Sequence, residues 1–505
     1  MTKKALLLSL LVVTGTSASL MGCQLGGGVD PYNLDFTVDT RGTTIDFWTG
    51  FGSDFADILE NVLKTFEDET GIIVNHESKG GYDGLQQAIT LSAGTNSYPN
   101  VALAYPDHMV GYVNSNIILR LDSFFEDDGD DTFNPEDFYP DYMKENYEVE
   151  YNRETGEPYL MGVPFNKSTE VMIYNKTFFE WAKTISGFED RIFVPSTWDE
   201  VVSVSTAINE LMEDYYGKFI GHDGKGYETR DELFAAGQTP MLDFDVITYD
   251  TFRPFSYDSQ ANWFITLCRQ WGGEFTEVDQ ETMQGYLAFD SDEVKEGLQF
   301  MQDAYNDHLL AIPTTFGEAG YSSNPFKFLR CVMTVSSSAG VKNNVPQGNS
   351  FETGVAPVPY KDAEHKYVIS QGTNAILLDK GTEKELVASW KLLKYLTKTA
   401  NGTWSAESGY FPTCSYAEES EVYQDFLNNS TSSIDRMNQA TSRVNSNVYM
   451  NDAEKWTKFV DKPFSNSSRV RSTVESAMSQ LFIDKVTPDQ LIQNLYTLLP
   501  DNVRS

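Results

Sequence analysis

The chain has 505 residues, 40% hydrophobic and 13% aromatic, enough for two domains with full cores, since single cores stop growing near ~250–300 residues. Lys and Arg number 37 against 74 Asp and Glu, a net charge of −37 at pH 7. A field of that sign repels nucleic acid and anionic lipid, so no nucleic-acid partner is expected. The acidic residues read as solvated faces and name no substrate.

The N-terminus speaks to location. Lys3 and Lys4 precede a mostly apolar stretch, Ala5 to Val13, far shorter than the ~20 residues a transmembrane helix needs. Small residues follow and end in Leu20-Met21-Gly22-Cys23. This resembles the bacterial lipobox, in which the Cys thiol takes up a diacylglycerol and the Cys becomes the new N-terminus. Residues 1–22 are then a lipoprotein signal peptide and 23–39 a tether, opened by the flexible Gln24 to Gly28. No later segment is apolar for long enough to span a bilayer. Cys268, Cys331 and Cys414 are too few and too widely spaced for a disulfide scaffold or zinc module, although one pair has the option of bridging in an oxidising compartment. The five His show no metal-ligand spacing, and neither metal nor cofactor is expected.

In chain order, Thr44 to Trp48 reads as a strand ending at Gly50-Phe51-Gly52. A helix follows with Phe55, Ile58, Leu59, Val62, Leu63 and Phe66 at the 3.6-residue period and Gly71 as its cap. Ile72 to Asn75 is the next strand, Leu85 to Ile89 a helix ended by Gly94, and Val101 to Tyr105 a third strand. The alternation predicts a parallel sheet with helices on its faces. It restarts at Val171 to Tyr174; capping-box patterns stand at Thr197/Glu200, Thr382/Glu385 and Thr487/Gln490. Glu126 to Glu157, acidic and turn-rich, and Gly217 to Arg253 read as surface insertions. The run Asp127-Asp128-Gly129-Asp130-Asp131 lacks the alternating spacing and closing Glu of an EF-hand loop.

Several segments resemble the family-1 extracellular solute-binding proteins, which include oligosaccharide and glycerol-3-phosphate receptors. Pro164-Phe165-Asn166-Lys167-Ser168-Thr169 with Tyr174-Asn175-Lys176, the helix start Thr197-Trp198-Asp199, Gly354-Val355-Ala356-Pro357, Gln371-Gly372 and Gly409-Tyr410-Phe411-Pro412 occur in the family's order. The resemblance implies an α/β, two-lobed periplasmic-binding-protein-like fold (type II), with a ligand cleft between the lobes and three hinge crossovers. These fall near Pro164 to Ser168, Gly354 to Pro359 and Thr399 to Gly402. Lobe one is expected over 40–165 and 356–400, lobe two over 166–355 and 401–505. The function implied is capture of a carbohydrate at the outer face of the membrane and delivery to an ABC transporter permease with its ATPase.

A sugar has apolar C–H faces and a rim of hydroxyls, so its receptor needs aromatic faces and fixed polar groups. Trp48 follows the first strand and is either a cleft wall or a core aromatic. Tyr82 opens a helix at a family ligand position. Asp107, just past the third strand, is a carboxylate ligand or a helix N-cap. Ser168 in the hinge motif and Ser337 after the strand Cys331 to Val335 offer hydroxyls or make turns. Trp263 falls near the family's aromatic platform, Gly372 lets ligand approach the backbone, and Tyr410 has the clearest motif match; Tyr257 and Tyr321 rank behind. Family phosphate-ester receptors carry an Arg before a Leu-Gly-Asn, where this chain has Asp461-Lys462-Pro463-Phe464. A neutral carbohydrate gains weight from that, and Lys462 keeps a glycerol-phosphate-type solute in view.

The rival classes are a surface glycosidase and an adhesin. No Gly-x-Ser-x-Gly elbow, phosphate-binding loop or zinc His pair is present, so no enzyme is expected. Mass spectrometry of protein from the native membrane is expected to find diacylated Cys23 at the N-terminus; a mature chain that starts elsewhere refutes the anchor.

Overall fold

Helix α1 (Ala56–Thr70) shows local pattern becoming architecture: Leu59, Val62, Leu63 and Phe66 form its buried stripe. Gly71 ends it at φ +71°, its N–H donating to the Glu67 carbonyl at 2.8 Å. The computed structural model describes residues 29–503 apart from 280, 281 and 283; the lipobox with Cys23 lies outside the described residues. Strands β1 (Thr44–Thr49), β2 (Ile73–Ser78) and β3 (Val101–Ala104) alternate with α1, α2 (Tyr82–Ser92) and α3 (Pro106–Asn114). β1 pairs in parallel with β2 and β3.

β4 (Val163–Asn175) follows, then α4 (Trp198–Met212), which starts on the Thr197/Glu200 capping box. β5 (Phe255–Tyr257), α5 (Gln260–Gln270), β6 (Leu310–Ala311) and β7 (Met333–Ser337) build a second parallel unit. β8 (Thr353–Ala356), β9 (Tyr367–Leu377), α6 (Glu383–Lys394), α7 (Asn401–Ser408), α8 (Ser433–Val444), β10 (Thr457–Phe459) and α9 (Ser467–Phe482) complete the elements used below. The strands join in the order β6-β5-β7-β4-β9-β3-β1-β2, with β8 on β4 and β10 on β9. The path is continuous because β4 pairs β9 over Val163 to Thr169 and then β7 and β8 over Glu170 to Asn175.

Two hydrophobic cores flank this junction. The first runs from Ile45 to Phe165 and resumes from Ala375 to Ala417, with Ala339 reaching it from the other lobe. The second runs from Val171 to Ile369 and resumes from Met437 to Val503. The chain therefore crosses inside β4, inside β9, and a third time between Ala417 and Met437. The first crossover stands where the motif placed it. The second differs from the expected Gly354 to Pro359, because β8 still pairs with the second-lobe half of β4 and Val368 and Ile369 belong to the second core. The third differs from Thr399 to Gly402, because Trp404, Tyr410 and Cys414 pack in the first core.

The two stretches read as surface insertions are also structural. In the acidic one, Phe133, Phe138, Met143 and Val149 are buried in the first core, Trp390 Nε1 donates to Asp128 at 2.7 Å, and Lys394 donates to Asp128 and to Asp130, both at 2.8 Å. The other forms a three-stranded sheet over Phe219–Gly221, Gly226–Tyr227 and Pro240–Asp243, with Ile220, Leu242 and Phe244 in the second core. Cys268, Cys331 and Cys414 are buried and form no disulfide among the described residues.

Where β4 and β9 cross side by side, the contacts are polar and buried. Lys167, fully buried, pairs with Glu145 of the acidic stretch and donates to the Gly372 carbonyl at 3.2 Å. Asn374 Nδ2 donates to the same Glu145 carboxylate at 2.6 Å, and Asn146 Nδ2 to Asn374 Oδ1 at 3.0 Å. Burial pushes the Lys167 ammonium below its ordinary pKa, and the Glu145 carboxylate pulls it back. Gly372 has φ +100°, and a Cβ there would lie 1.9 Å from the Asn166 carbonyl oxygen, so only glycine fits the crossing. Lys167→Met leaves the Glu145 carboxylate buried without its cation, and chemical denaturation is expected to show a loss of ~3–5 kcal/mol. Lys167→Met with Glu145→Leu is expected to recover most of it; a single variant as stable as the parent contradicts the pairing.

Candidate functional site

Strands that end at one level leave a crevice past their carboxyl ends, and two such sets facing each other make a cleft. The cleft between the lobes has two compartments of about 410 and 450 Å³ that share Tyr82, Tyr105, Ser259 and Gln371. The inner one is floored by β4 through Ser168 and Glu170 and reaches Asp258, Ser337, Asn344 and Tyr410. The outer one is lined by Asp107, Ser370, Asp461, Arg471 and Glu475.

Tyrosines shape the waist and the first-lobe wall. Tyr82 opens α2; its hydroxyl lies 3.2 Å from that of Tyr410 and accepts from Asn166 Nδ2 at 3.0 Å. The Tyr105 ring stands edge-on to Tyr82 at 5.1 Å, and Tyr410 stacks on Trp404 at 6.0 Å. Burial pushes the Tyr82, Tyr105 and Tyr410 hydroxyls above their ordinary pKa, so they stay neutral donors.

The second-lobe wall carries carboxyls. Glu170, buried in β4, accepts from Tyr257 and from Asn262 Nδ2 at 3.1 Å, and burial pushes it up to about 7. Asn262 Oδ1 in turn accepts from the Arg471 guanidinium, so a polar relay runs from β4 through α5 to α9. Asp258, at the end of β5, accepts from the Ser322 N–H at 2.7 Å through Oδ1, while Oδ2 accepts no close hydrogen bond among the described residues; burial pushes the group up to about 6, opposed by the Ser322 and Ser336 hydroxyls nearby. Both amide atoms of buried Asn344 and the hydroxyl of Ser370 are likewise without a partner among the described residues. Asp461 accepts from Thr276 at 2.6 Å through Oδ2, Oδ1 is unpartnered among the described residues, and burial pushes the group up to about 7. Such groups are costly to leave unpaired, and in the wall of a cleft a polar ligand is able to pair them.

Six of the eight expected ligand residues line this cleft: Tyr82, Ser168, Ser337, Gly372 and Tyr410 the inner compartment, and Asp107 the outer, with Tyr82 reaching both. Tyr105 holds the N-cap position of α3 and Asp107 lies in its first turn, which removes the N-cap alternative for Asp107. Tyr410 stands on the first-lobe side, not the second. Trp48 and Trp263 are corrections. Strand alternation turns Ile45, Phe47 and Thr49 inward and Trp48 to the other face, where the Lys79 ammonium lies 3.5 Å over its ring. Trp263 is 1% exposed and stacks in the second core on Tyr257 at 5.1 Å and Phe482 at 5.2 Å. Tyr257 is core as well, whereas exposed Tyr321 lines the inner compartment.

Sequence reasoning missed Tyr105, Glu170, Asp258, Asn344, Asp461 and Arg471. Glu170 had a signal, a carboxylate at the head of the apolar run Val171 to Tyr174 in a strand buried on both faces. Asp258 had one too, since it follows a strand's carboxyl end as Asp107 does. Arg471 had none, because its stripe of α9 reads as a solvent face.

The model of the family described as "Bacterial extracellular solute-binding protein" matches residues 61–429. The sn-glycerol-3-phosphate-binding periplasmic protein UgpB of Escherichia coli is 21% identical over 460 residues, spanning 89% of this chain and 90% of that protein. The same fold recurs in the acarbose-binding GacH receptor of Streptomyces glaucescens (TM-score 0.62, 16% identity, 91% of this chain and 98% of that one). It recurs again in UgpB of Mycobacterium tuberculosis, solved with glycerophosphocholine (TM-score 0.64, 15% identity, 91% and 98%). With a family match over most of its length and an interlobe cleft lined by unpaired polar groups, the chain belongs to the bacterial extracellular solute-binding proteins.

Proposed function

We propose that the protein is a receptor at the outer face of the cell membrane, anchored through lipid on Cys23, that captures a carbohydrate and delivers it to the permease of an ABC importer. The observation that carries the carbohydrate reading is the set of unpartnered buried polar atoms in the cleft: Asp258 Oδ2, both amide atoms of Asn344, Ser370 Oγ and Asp461 Oδ1. A polyhydroxylated ligand carries both the donors and the acceptors that such groups need, and the Tyr82, Tyr105 and Tyr410 rings offer faces or edges for its C–H surface. The maltotriose-bound MalE of Bdellovibrio bacteriovorus and the GacH receptor support the reading by analogy of fold.

A glycerol-phosphate-type solute is the second reading, favoured by Arg471 and Lys462 in the outer compartment and by the UgpB relatives. Against it, Asp83, Asp107, Asp461 and Glu475 line the same compartment, and carboxylates facing a phosphate repel it.

A thermal-shift panel of mono-, di- and oligosaccharides, glycerol 3-phosphate and glycerophosphocholine separates the two. A neutral saccharide is expected to stabilise the mature protein, by ~2.7 kcal/mol at a hundredfold excess over Kd. Asp258→Ala is expected to weaken that binding by ~1–3 kcal/mol, since it removes an acceptor from a buried hydroxyl. A response to the phosphate esters alone overturns the carbohydrate reading.

A further inference from the structure

Behind the cleft, the boundary between the lobes holds a second ammonium. Ser168 and Glu170 face the inner compartment, and strand alternation turns Lys167 to the opposite side of β4, where Glu145 meets it. Tyr142, one helical turn before Glu145, stands on that side next to Met143 of the first core. Lys458 of β10 reaches it from the second lobe. Its Nζ lies 2.7 Å from the Tyr142 hydroxyl, 2.8 Å from Asn445 Oδ1 and 4.4 Å from the centre of the Tyr142 ring. Asn445 follows α8, between Val444 and Tyr449 of the second core, so Lys458 ties one lobe to the other. A groove of about 570 Å³ reaches this point, with Tyr139, Pro140 and Asp141 on its first-lobe bank and Ser442, Asn445 and Met450 on its second-lobe bank. A rotation that shuts the cleft in front parts these banks behind, and one that opens the cleft presses them together.

The tie is complete for a neutral amine and incomplete for an ammonium. A neutral amine accepts from the Tyr142 hydroxyl and donates to Asn445. An ammonium has three N–H groups for those two oxygens, and Lys458 has no carboxylate within 4.0 Å among the described residues. The residue as a whole is half-buried, but its head is turned inward, and burial pushes the group down to about 7. Asp141 and Glu145 oppose that shift, Lys167 adds to it, and Glu145 is already engaged by Lys167. Tyr142 is held neutral by its own burial. Water is what a charged Lys458 lacks, and a parted groove admits it. We infer that Lys458 is a proton-operated latch on the hinge: uncharged it fastens Tyr142 to Asn445, and protonated it favours the arrangement with the rear groove parted and the cleft closed. The inference rests on the two-lobed hinge and not on the identity of the solute, so its failure leaves the carbohydrate reading standing.

Small-angle X-ray scattering of the solute-free mature protein at about pH 6 and about pH 9, either side of the Lys458 value, tests it. The parent's radius of gyration is expected to be smaller at the lower pH. Lys458→Met is expected to keep the parent's high-pH radius at both values, and Lys458→Arg, charged throughout, the parent's low-pH radius at both. A parent radius that is unchanged, or that grows as pH falls, overturns the latch. So does a Lys458→Met protein that keeps the step, which then belongs to other groups such as Glu170 or Asp461. Chemical denaturation gives a second readout. The folded-state value lies below the ~10.4 of an unfolded lysine, so between the two the unfolded chain binds more protons and stability rises with pH. The parent's stability, measured against Lys458→Met, is expected to rise from about pH 7 to about pH 10; a flat difference overturns the inward ammonium.

Discussion

Lys167 lies fully buried where two strands leave one hydrophobic core for the other, and a buried ammonium must be paired to stay there. Glu145 supplies the charge, Asn374 and Asn146 fix the carboxylate and its neighbour, and the Gly372 carbonyl takes a remaining donor. Three distant stretches of chain are thereby held at one point. Everything on either side follows from it: β4 and β9 pass through together, each lobe builds its own parallel unit outward, and the cleft opens where the two units face one another. The pair also gives the acidic stretch at 126–157 its place, since a surface loop has no reason to send a carboxylate into the junction.

The cleft inherits its chemistry from this geometry. β4 is buried on both faces, so Glu170 in it needs a neutralising environment, and Tyr257, Asn262 and, through Asn262, Arg471 provide it. The same residues bring a second-lobe helix and the hinge strand into one hydrogen-bonded system. Groups that would be penalties in a core, such as Asp258 and Asn344, stand in the wall of the cleft, where a ligand's hydroxyls relieve them. The tyrosines, kept neutral by burial, serve as donors and as apolar surface.

What sequence made legible was what depends on near neighbours. The α1 stripe with its Gly71 cap, and the boxes at Thr197, Thr382 and Thr487, are satisfied within a few residues and appear as read. The motif order led to the two-lobed family and to six residues of the cleft lining. The errors concern direction and continuity. Trp48 ends the right strand but alternation turns it away, and Trp263 opens a helix buried on nearly every side. The segment at Gly354 reads as a crossover, yet its pairing partner is still the second-lobe half of β4, which only a strand register reveals. Arg471 and Asp461 meet Asn262 and Thr276 from about two hundred residues away, and no local pattern carries that information.

A hinge of two adjacent strands and one connecting segment allows rotation of one lobe on the other, and a ligand that touches both walls favours the closed arrangement. Tyr82, Tyr410 and Asp107 approach from one side, and Asp258, Asn344 and Arg471 from the other. A receptor that closes around its solute differs in shape from the empty one, which is what the proposed delivery to a permease requires. Small-angle X-ray scattering of the mature protein with and without its saturating saccharide tests it most directly. The radius of gyration is expected to fall on saturation; an unchanged radius in a protein that calorimetry shows to be fully bound would contradict closure.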